Sequence, residues 1–426
     1  MTVSSLIVGI LLLIALRVPV AIALLLPSLM YVAVEPHISL GIALQRVTAQ
    51  LDSFPLLAVP LFILVGFIAN VAGLADRLIA ALLAVTSRVR GSLAYANVNA
   101  SLVFSWMSGS AMADAAAMGS VLIPSMRRNG YRPGFAAAIT AASSTIGPVM
   151  PPSIGAVLYA VLSSTSIAGM FLAGVLPALV IFLSLIVYVH IYVRNQEGLE
   201  PLAQSPDSRL RPIFAALPIL AAPVILLGGI LGGIFTPTEA SAVTVVYLLL
   251  MSFAAGWLSV RGFGEALVKT ASTTGQVMFI AAAGGLFSYV LAREGVPQDI
   301  AEQLLRITDN PIVFLLLLNV FLLIVGMFLE PASALLITVP VIYPVAMAFG
   351  VDPLHLGIIV IFNLTLGLLT PPVGLVLYLL SNVGDVAFRE VLRATWPLLF
   401  PLFAALILIT YAPPVTTWLP RLFGLG

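Results

Sequence analysis

The sequence IGPVMPPS at residues 146–153 interrupts one apolar stretch of the chain, and GLLTPPVG at residues 367–374 interrupts another. Proline in the middle of a helix removes a hydrogen bond and leaves a backbone carbonyl without its donor. In lipid such backbone is tolerated only where protein buries it or where it lines a wet cavity. The two stretches therefore predict two helices that are broken within the membrane.

Both interruptions belong to an internal repeat with a constant offset, because 371 − 151 = 220. The same shift pairs Pro152 with Pro372, Gly147 with Gly367, Thr145 with Thr365, Pro124 with Pro344, Gly130 with Gly350, Pro133 with Pro353 and Asn99 with Asn319. It also places Ser110 opposite Glu330. These gap-free matches of Gly, Pro, Asn and Thr predict a chain built from two related halves.

Composition places the chain in a membrane. Of its 426 residues 61% are hydrophobic and 8% are charged, whereas a soluble domain carries about 25% charged residues. No Lys, Arg, Asp or Glu occurs between Arg132 and Arg194, and a spanning helix needs about 20 apolar residues. The absence of cysteine excludes disulfides and thiolate metal sites, and the net charge of +1 argues against nucleic-acid binding.

Twelve membrane segments are predicted: 3–16, 18–34, 54–72, 92–126, 134–163, 168–193, 213–234, 238–258, 270–292, 311–347, 354–380 and 394–412. The first segment is interpreted as a membrane helix and not as a cleaved signal peptide, since no basic region precedes it. The positive-inside rule puts the Arg-rich connections in the cytoplasm and both termini outside. If the first two segments form one broken helix, only the N-terminus changes side. Residues 194–212 are predicted to link the two halves.

Two segments are too short for two full spans and carry a polar interruption. Residues 92–126 predict a re-entrant hairpin that enters from the cytoplasm and turns at Ser108-Gly109-Ser110. Residues 311–347 predict a second hairpin from the opposite face, turning at Glu330-Pro331. Amphipathic surface helices are expected before each hairpin. The predicted fold class is an all-α polytopic membrane protein with an inverted repeat, which is an architecture of transporters.

Simpler interpretations compete for single residues. Ser108-Gly109-Ser110 is also compatible with close helix packing, and Asp114 is also placed to cap a helix arm. For Glu239, in the run Thr236-Pro237-Thr238-Glu239, an N-terminal cap is favoured over a ligand role. Asn97, Asn99, Asn319 and Asn363 are compatible with interhelical hydrogen bonds.

An enzyme is not expected. The chain contains no HExxH pattern and no cysteine nucleophile, and its single lysine, Lys269, lies in a predicted cytoplasmic loop. A GxxxxGK[ST] phosphate-binding loop is also absent, so ATP hydrolysis by this chain is excluded as the energy source.

Several motifs resemble one transporter family. MSGSAMADAAAMGS at residues 107–120 continues into IPSM at 123–126, and PPSI at 151–154, TPTEA at 236–240 and TPPVG at 370–374 follow. These runs resemble the large membrane subunit of tripartite ATP-independent periplasmic (TRAP) transporters, the DctM-like family. The resemblance covers nearly the whole chain, and the first-hairpin run is specific.

The resemblance implies an elevator-type transporter in a bacterial or archaeal inner membrane. It implies secondary active uptake of an organic acid coupled to Na⁺, with no organic cofactor. The expected partners are a small four-helix membrane subunit and a periplasmic substrate-binding protein. A moving transport domain is expected at 92–163 and 311–380, and a scaffold at 1–91, 164–310 and 381–426.

The site hypothesis combines motif position with repeat symmetry. Exposed backbone carbonyls bind Na⁺, and the N-termini of half-helices attract anions. One Na⁺ is expected at Ser108, Gly109, Ser110, Gly147, Pro148 and Pro151, and a second at Glu330, Pro331, Gly367, Thr370 and Pro371. The organic acid is expected between the tips, near Ser110, Asp114, Thr145, Ser153 and Asn363.

Two other functions remain open from the residues alone. One is an inverted-repeat ion or dicarboxylate carrier that acts without a binding protein. The other is a membrane scaffold that transports nothing, although such a protein would not need two broken helices with exposed carbonyls.

Overall fold

The computed structural model describes residues 3–35, 38–196, 198–199 and 207–425, and within these ranges it contains helices but no β-strand. The N-terminal half consists of α1 (Val3–Ala15), α2 (Val20–Val34), α3 (Leu40–Leu51), α4 (Ala58–Val71), α5 (Leu74–Thr86), α6 (Ser92–Ser108), α7 (Ala111–Arg128), α8 (Pro133–Ser143), α9 (Ile154–Ser163) and α10 (Ile167–Arg194). Short 3₁₀ turns at Phe54–Leu57 and Ser144–Ile146 precede α4 and follow α8.

The C-terminal half consists of α11 (Asp207–Leu231), α12 (Pro237–Ala254), α13 (Val260–Arg293), α14 (Val296–Ile307), α15 (Pro311–Phe328), α16 (Pro331–Ala348), α17 (Pro353–Gly367), α18 (Leu375–Gly384), α19 (Phe388–Tyr411) and α20 (Pro414–Leu422). Residues 197 and 200–206 of the predicted linker at 194–212 lie outside the described residues, and α11 begins within the predicted linker at Asp207. Among those described, seven helices are long and apolar enough to cross a membrane, or eight if α4 and α5, bent by 66°, form one span.

Both predicted hairpins turn where the sequence indicates. α6 ends at Ser108, Gly109 takes a positive φ of 56°, and α7 begins at Ala111. A left-handed backbone of this kind is readily adopted by glycine, which has no Cβ. α15 ends at Phe328 and α16 begins at Pro331, with Glu330 as its N-terminal cap. Proline at the first helical position loses no hydrogen bond, which explains this start.

The broken helices also match the prediction. α8 and α9 are separated by residues 144–153, which include the 3₁₀ turn, and α17 and α18 by residues 368–374. The helix bounds repeat with the sequence offset, because α7 (111–128) shifted by 220 coincides with α16 (331–348). The same shift carries the start of α8 at Pro133 onto the start of α17 at Pro353. The two halves therefore share one order of elements, and the re-entrant path of each hairpin stays a prediction.

The first two predicted segments are separate helices, divided at Arg17, whose φ is 62°. Other elements differ from the expected segments. α13 begins ten residues before the predicted segment, because the Ser259 hydroxyl caps it by accepting from Gly262 N. The short helices α3 and α20 were not predicted. Glu239 forms a capping box with Thr236 at the start of α12, as expected.

Buried apolar residues show which elements pack as one body. The largest cluster joins the broken helices α8, α9 and α17 with α10, α15 and α19, through residues such as Tyr159, Phe171 and Leu402, and it extends to α4 and α11 through Phe62 and Leu226. A second cluster joins α4 and α5 to α11 and to the tip of hairpin 1. A third joins α1, α2 and α3 to α13.

Each hairpin packs on both halves of the chain. In hairpin 1 (α6 and α7) both arms lie against α8 and against each other, and α7 also lies on α18 of the other half. In hairpin 2 (α15 and α16), α15 lies mainly on α17, whereas α16 lies on α9 of the other half. The two halves therefore interlock.

Candidate functional site

A cavity of about 420 Å³ lies where the two hairpin tips meet. From hairpin 1 it is lined by Ser108, Gly109 and Ser110, and from hairpin 2 by Glu330, Pro331 and Ser333. α4 and α13 supply the opposite wall, with Asn70, Thr273 and Gln276 as its polar side chains. Ligand sites are typically cavities of this size with a few convergent polar groups on apolar walls. The tips predicted to face one another thus line one cavity.

The tip of hairpin 1 lies directly on the first helix break. A Cβ built on Gly109 would come within 3.0 Å of the backbone nitrogen of Ile154 and within 3.2 Å of the Cα of Ser153. Two features therefore favour glycine at this position: the backbone φ is positive, and there is no room for a side chain. This contact brings Ser108 and Ser110 together with the break that contains Pro148, which also lines the cavity.

Asp114 lies behind the tip in the first turn of α7 and is fully buried. The Ser108 hydroxyl donates a hydrogen bond to its Oδ1, whereas Oδ2 has no hydrogen-bond partner among the residues that the structure describes. Oδ2 lies against Gly147, where a Cβ would overlap it. A buried carboxylate oxygen without a partner is unfavourable unless a donor or a cation compensates it. The glycine at the helix break leaves room for this oxygen.

Glu330 occupies the position equivalent to Ser110 at the tip of hairpin 2. Its Oε2 accepts hydrogen bonds from the backbone nitrogens of Ala332, at 3.0 Å, and Ser333, at 3.2 Å. The side chain therefore caps α16 and also lines the cavity. Ser110 caps α7 by position only, because its side chain makes no capping hydrogen bond.

Three further residues of the predicted substrate set are buried and do not line the cavity. The Thr145 hydroxyl donates to the Ala142 carbonyl at 2.7 Å, and the Ser153 hydroxyl accepts from Ala156 N at the start of α9. Asn363 donates to Asn319 Oδ1 at 2.8 Å, and Asn319 donates to the Thr410 hydroxyl at 3.2 Å. The hydrogen bonds from Asn363 to Asn319 and from Asn319 to Thr410 connect α17, α15 and α19.

The second predicted Na⁺ set is arranged differently from the first. A Cβ on Gly367 would overlap the backbone of Gly326, so the absence of a side chain lets α15 and α17 cross closely. The Thr370 hydroxyl donates to the Leu366 carbonyl at 3.0 Å, and neither Thr370 nor Pro371 lines the cavity. The residue equivalent to Asp114 is Ala334, since 114 + 220 = 334. Repeat 2 therefore has no counterpart of the buried Asp114 carboxylate at this position.

Pro151 and Gly147 of the first set lie in the break but not on the cavity wall. Sequence reasoning missed Asn70, Thr273, Gln276 and Ser333, which do line it. A signal was present for Gln276, because it lies in the charge-free run between Lys269 and Arg293. Polar side chains within such runs are costly in lipid and tend to face the protein interior.

Comparison with known proteins identifies the family. Residues 7–415 match the family model described as the DctM component of the tripartite ATP-independent periplasmic transporter. The chain belongs to this family. As a DctM component it is a transporter subunit and not an enzyme, and it is a multi-pass protein of the inner membrane.

Two relatives of this DctM component carry different substrate names. The chain is 41% identical over 406 residues to the sialic acid TRAP transporter large permease protein SiaM of Vibrio cholerae, covering 95% of each chain. It is 40% identical over 380 residues to the C4-dicarboxylate TRAP transporter large permease protein DctM of Pseudomonas aeruginosa, covering 88% of each. Overall identity therefore does not distinguish these two substrates.

The fold has a counterpart among solved structures. The crystal structure of the Alcanivorax borkumensis YdaH transporter, described as having an unusual topology, superimposes with a TM-score of 0.66 at 16% identity. The match covers 94% of this chain and 97% of that one. At this identity the likeness concerns the fold alone.

Proposed function

We propose that this DctM component carries out Na⁺-coupled uptake of an organic acid through the cavity between the hairpin tips. The observation that carries the proposal is the buried Oδ2 of Asp114. This oxygen lies beside a broken helix and has no hydrogen-bond partner among the described residues. Burying an uncompensated carboxylate is strongly unfavourable. A bound Na⁺ compensates that charge, and its loss or gain can therefore be coupled to a change of conformation.

The Na⁺ ion is proposed to bind between α7 and the break after α8. Asp114 Oδ2 would supply a charged ligand, and the remaining ligands would be hydroxyl and backbone oxygens near Ser108 and Gly147. Oxygen atoms are the ligands that hard cations of this kind prefer. This role for Asp114 replaces direct contact with the substrate, because Asp114 does not line the cavity.

Two residues of the second Na⁺ set have structural roles. Gly367 allows a close helix crossing, and the Thr370 hydroxyl donates to the Leu366 carbonyl of α17. Glu330 and Pro331 remain at the cavity. We therefore assign the coupling ion to repeat 1 and the substrate to the cavity itself, with Ser110 as one of its contacts.

Transport is proposed to follow an elevator movement of the hairpins and broken helices against a scaffold. α10 and α19 lie in segments expected to form the scaffold, but they are assigned here to the moving body, because α19 packs on α8 and α18, and α10 packs on α6, α9 and α17. Separating them would expose residues such as Phe171 and Leu402, both of which are buried, and burial of each large apolar side chain stabilises by about 1.5–3 kcal/mol. α1–α5 and α11–α14 form the proposed scaffold.

The hairpins meet the scaffold at two glycines. A Cβ on Gly66 of α4 would lie 2.7 Å from the Met107 carbonyl oxygen, and one on Gly284 of α13 would lie 3.4 Å from that of Leu336. Close contacts of backbone against backbone are typical of small-residue interfaces in membranes. We assign the sliding surface to these crossings.

The proposed partners are a small membrane subunit and a periplasmic binding protein. The family name describes a tripartite periplasmic transporter, and the DctM component supplies one of its three parts. The binding protein would present the organic acid to the outer face of the cavity.

The test is uptake into proteoliposomes that contain this chain, its small subunit and the binding protein. An inward Na⁺ gradient is expected to drive accumulation of a labelled organic acid, and replacing Na⁺ by choline is expected to abolish it. Uptake that is independent of Na⁺ would contradict the coupling proposal. Equal uptake without the binding protein would favour a carrier that acts alone.

A further inference from the structure

We propose that the start of α19 binds one anionic phospholipid, with Arg389 and Arg393 on the headgroup phosphate and with Trp396 and Phe400 along the glycerol and the acyl chains. These four residues are called the α19 stripe. The lipid site is separate from the cavity and from the proposed Na⁺ site, and it does not depend on what the protein transports.

The α19 stripe lies on one exposed face of its helix. Its members follow one another at spacings of four, three and four residues, and residues spaced in this way share a helix face. All four are exposed, Trp396 at 55% and Phe400 at 78%. The other face of α19 packs on α8 and α10 and is buried, as at Leu398. Because α19 is long and apolar enough to cross a membrane, its exposed face is the one that meets lipid.

The order of side chains along the stripe matches the layers of a lipid leaflet. Arg389 and Arg393 lie in the first turns of α19, which begins at Phe388. At a rise of 1.5 Å per residue, Trp396 lies about 4.5 Å beyond Arg393, and Phe400 lies about 10 Å beyond it. Charged groups face lipid phosphates, indoles favour the interface and phenyl rings favour the hydrocarbon. The stripe is therefore complementary to a single lipid from its headgroup to its chains.

The two arginines of the stripe are available to a ligand. Among the residues that the structure describes, neither Arg389 nor Arg393 forms an ion pair. Glu390 lies between them in sequence, but its Oε1 accepts a hydrogen bond from Gly134 N at the start of α8, at 3.0 Å. A guanidinium presents several donors in a plane, which suits the oxygens of a phosphate.

The surroundings of the arginines carry an excess of positive charge. Arg127, at the end of α7, donates to the Gly384 carbonyl at 2.8 Å, so that the ends of α7 and α18 meet just before α19. Residues 127–132 and 384–393 together contain five arginines and two carboxylates. The positive-inside rule predicts this end of the protein on the cytoplasmic side, where anionic lipids give the leaflet a negative surface potential. An anionic headgroup is therefore favoured here over a zwitterionic one.

The experiment compares two lipids with the same chains and different headgroup charge, dioctanoyl phosphatidylglycerol and dioctanoyl phosphatidylcholine. Each is titrated into the purified complex of this chain with its small subunit in detergent, and binding is measured by native mass spectrometry. Wild type is expected to prefer phosphatidylglycerol by at least about tenfold at low ionic strength, since each arginine near an anionic lipid contributes about fivefold. The preference should fall as salt is added.

A third ligand, sn-glycerol 3-phosphate, separates a lipid site from a phosphate site. It carries the phosphate but has no acyl chains to contact Trp396 and Phe400. It is expected to bind at least about tenfold more weakly than phosphatidylglycerol, because the burial of apolar surface is lost. Equal affinity for these two ligands would overturn the assignment to a lipid.

The matched variant is the double substitution Arg389→Gln/Arg393→Gln, which should bring the affinities for the two lipids within about threefold of each other. Arg389→Lys/Arg393→Lys keeps both charges and should keep most of the preference. The control is Arg261→Gln/Lys269→Gln, which removes two cations from the exposed surface of α13, where Arg261 is 92% exposed and pairs with Glu265. This control should keep the wild-type ratio.

Equal affinity of wild type for the two lipids would overturn the inference, as would an unchanged ratio in the glutamine double variant. If that variant does not fold, Arg393→Gln alone decides, with a ratio expected to be about fivefold lower than in wild type. Trp396→Ala should weaken both lipids and leave their ratio unchanged. Release of the small subunit from Trp396→Ala would also overturn the inference, because the stripe would then be a contact between proteins.

Discussion

The buried carboxylate of Asp114 lies against the Cα of Gly147, with Oδ2 in the space that a side chain at residue 147 would fill. The helix break and the first hairpin therefore meet at an oxygen that has no hydrogen-bond partner among the described residues. A hydrogen-bond donor or a cation would complete this arrangement.

Removing the charge at this position tests the proposed ion site. Asp114→Asn is expected to weaken Na⁺ binding at least about tenfold, because a charged ligand is replaced by a neutral one. The measurement is the rise in melting temperature of the purified complex as Na⁺ replaces choline. Asp299→Asn, at an exposed position on α14, should respond like wild type. If Na⁺ raises the melting temperature of Asp114→Asn as much as that of wild type, the Na⁺ site does not lie at hairpin 1.

Alanine substitutions at the equivalent glycines 147 and 367 are expected to have different effects on Na⁺ binding and on stability. In Gly147→Ala the new methyl group overlaps Asp114 Oδ2, so the Na⁺-dependent rise in melting temperature should be lost. In Gly367→Ala it overlaps the backbone of Gly326, and overpacking of this kind costs about 1–3 kcal/mol. That variant should melt at a lower temperature with its Na⁺ response retained.

The control for both is Gly228→Ala, because a Cβ at Gly228 meets nothing within 4 Å. Alanine in a helix is favoured over glycine by about 0.5–1 kcal/mol, so its melting temperature should not fall. Identical behaviour of the variants at 147 and 367 would show that the repeats are equivalent in function.

The buried amide of Asn363 is expected to support the fold and not to bind the substrate. Asn363→Ala removes its hydrogen bonds to Asn319 and to the Ile359 carbonyl. Leaving buried polar groups unpaired costs about 1–3 kcal/mol. Thermal melting should show the loss, while ligand affinity of the folded fraction stays at the wild-type value. A lower affinity without a loss of stability would place Asn363 in contact with the substrate.

Filling the cavity at hairpin 1 should stop transport. Ser110→Trp adds an indole ring at a residue that lines the cavity, and uptake into proteoliposomes should fall to background. Ser120→Trp is the control and is expected to retain uptake, because Ser120 is an exposed residue of α7 that does not line the cavity. Normal uptake by Ser110→Trp would exclude this cavity from the transport path.

The sequence predicted the features that depend on local backbone chemistry. Prolines 151 and 371 mark the helix breaks, Gly109 marks the first tip, and the Thr236–Glu239 capping box marks the start of α12. Each of these follows from hydrogen bonds or φ angles within a few residues of the motif. The repeat offset then extended the prediction from one half to the other.

Contacts between distant helices were beyond the same reasoning. Nothing local distinguishes Gly147, which accommodates a carboxylate, from Gly367, which accommodates the backbone of Gly326. The orientation of Gln276 toward the cavity depends on how α13 is rotated against hairpin 2. Likewise the Asn363 amide is hydrogen-bonded to Asn319 of α15, which in turn bonds to Thr410 of α19, and neither residue is close to Asn363 in sequence.

The interlocked packing of α16 on α9 has a consequence for biogenesis. When the ribosome has completed the first half, the surface of α9 that α16 will cover has no partner. That surface stays unmatched until more than three quarters of the polypeptide has been synthesised, since α16 ends at Ala348 of 426 residues. A chain truncated after residue 310 is therefore expected to be recognised by membrane proteases as unfinished, however well its own helices have inserted.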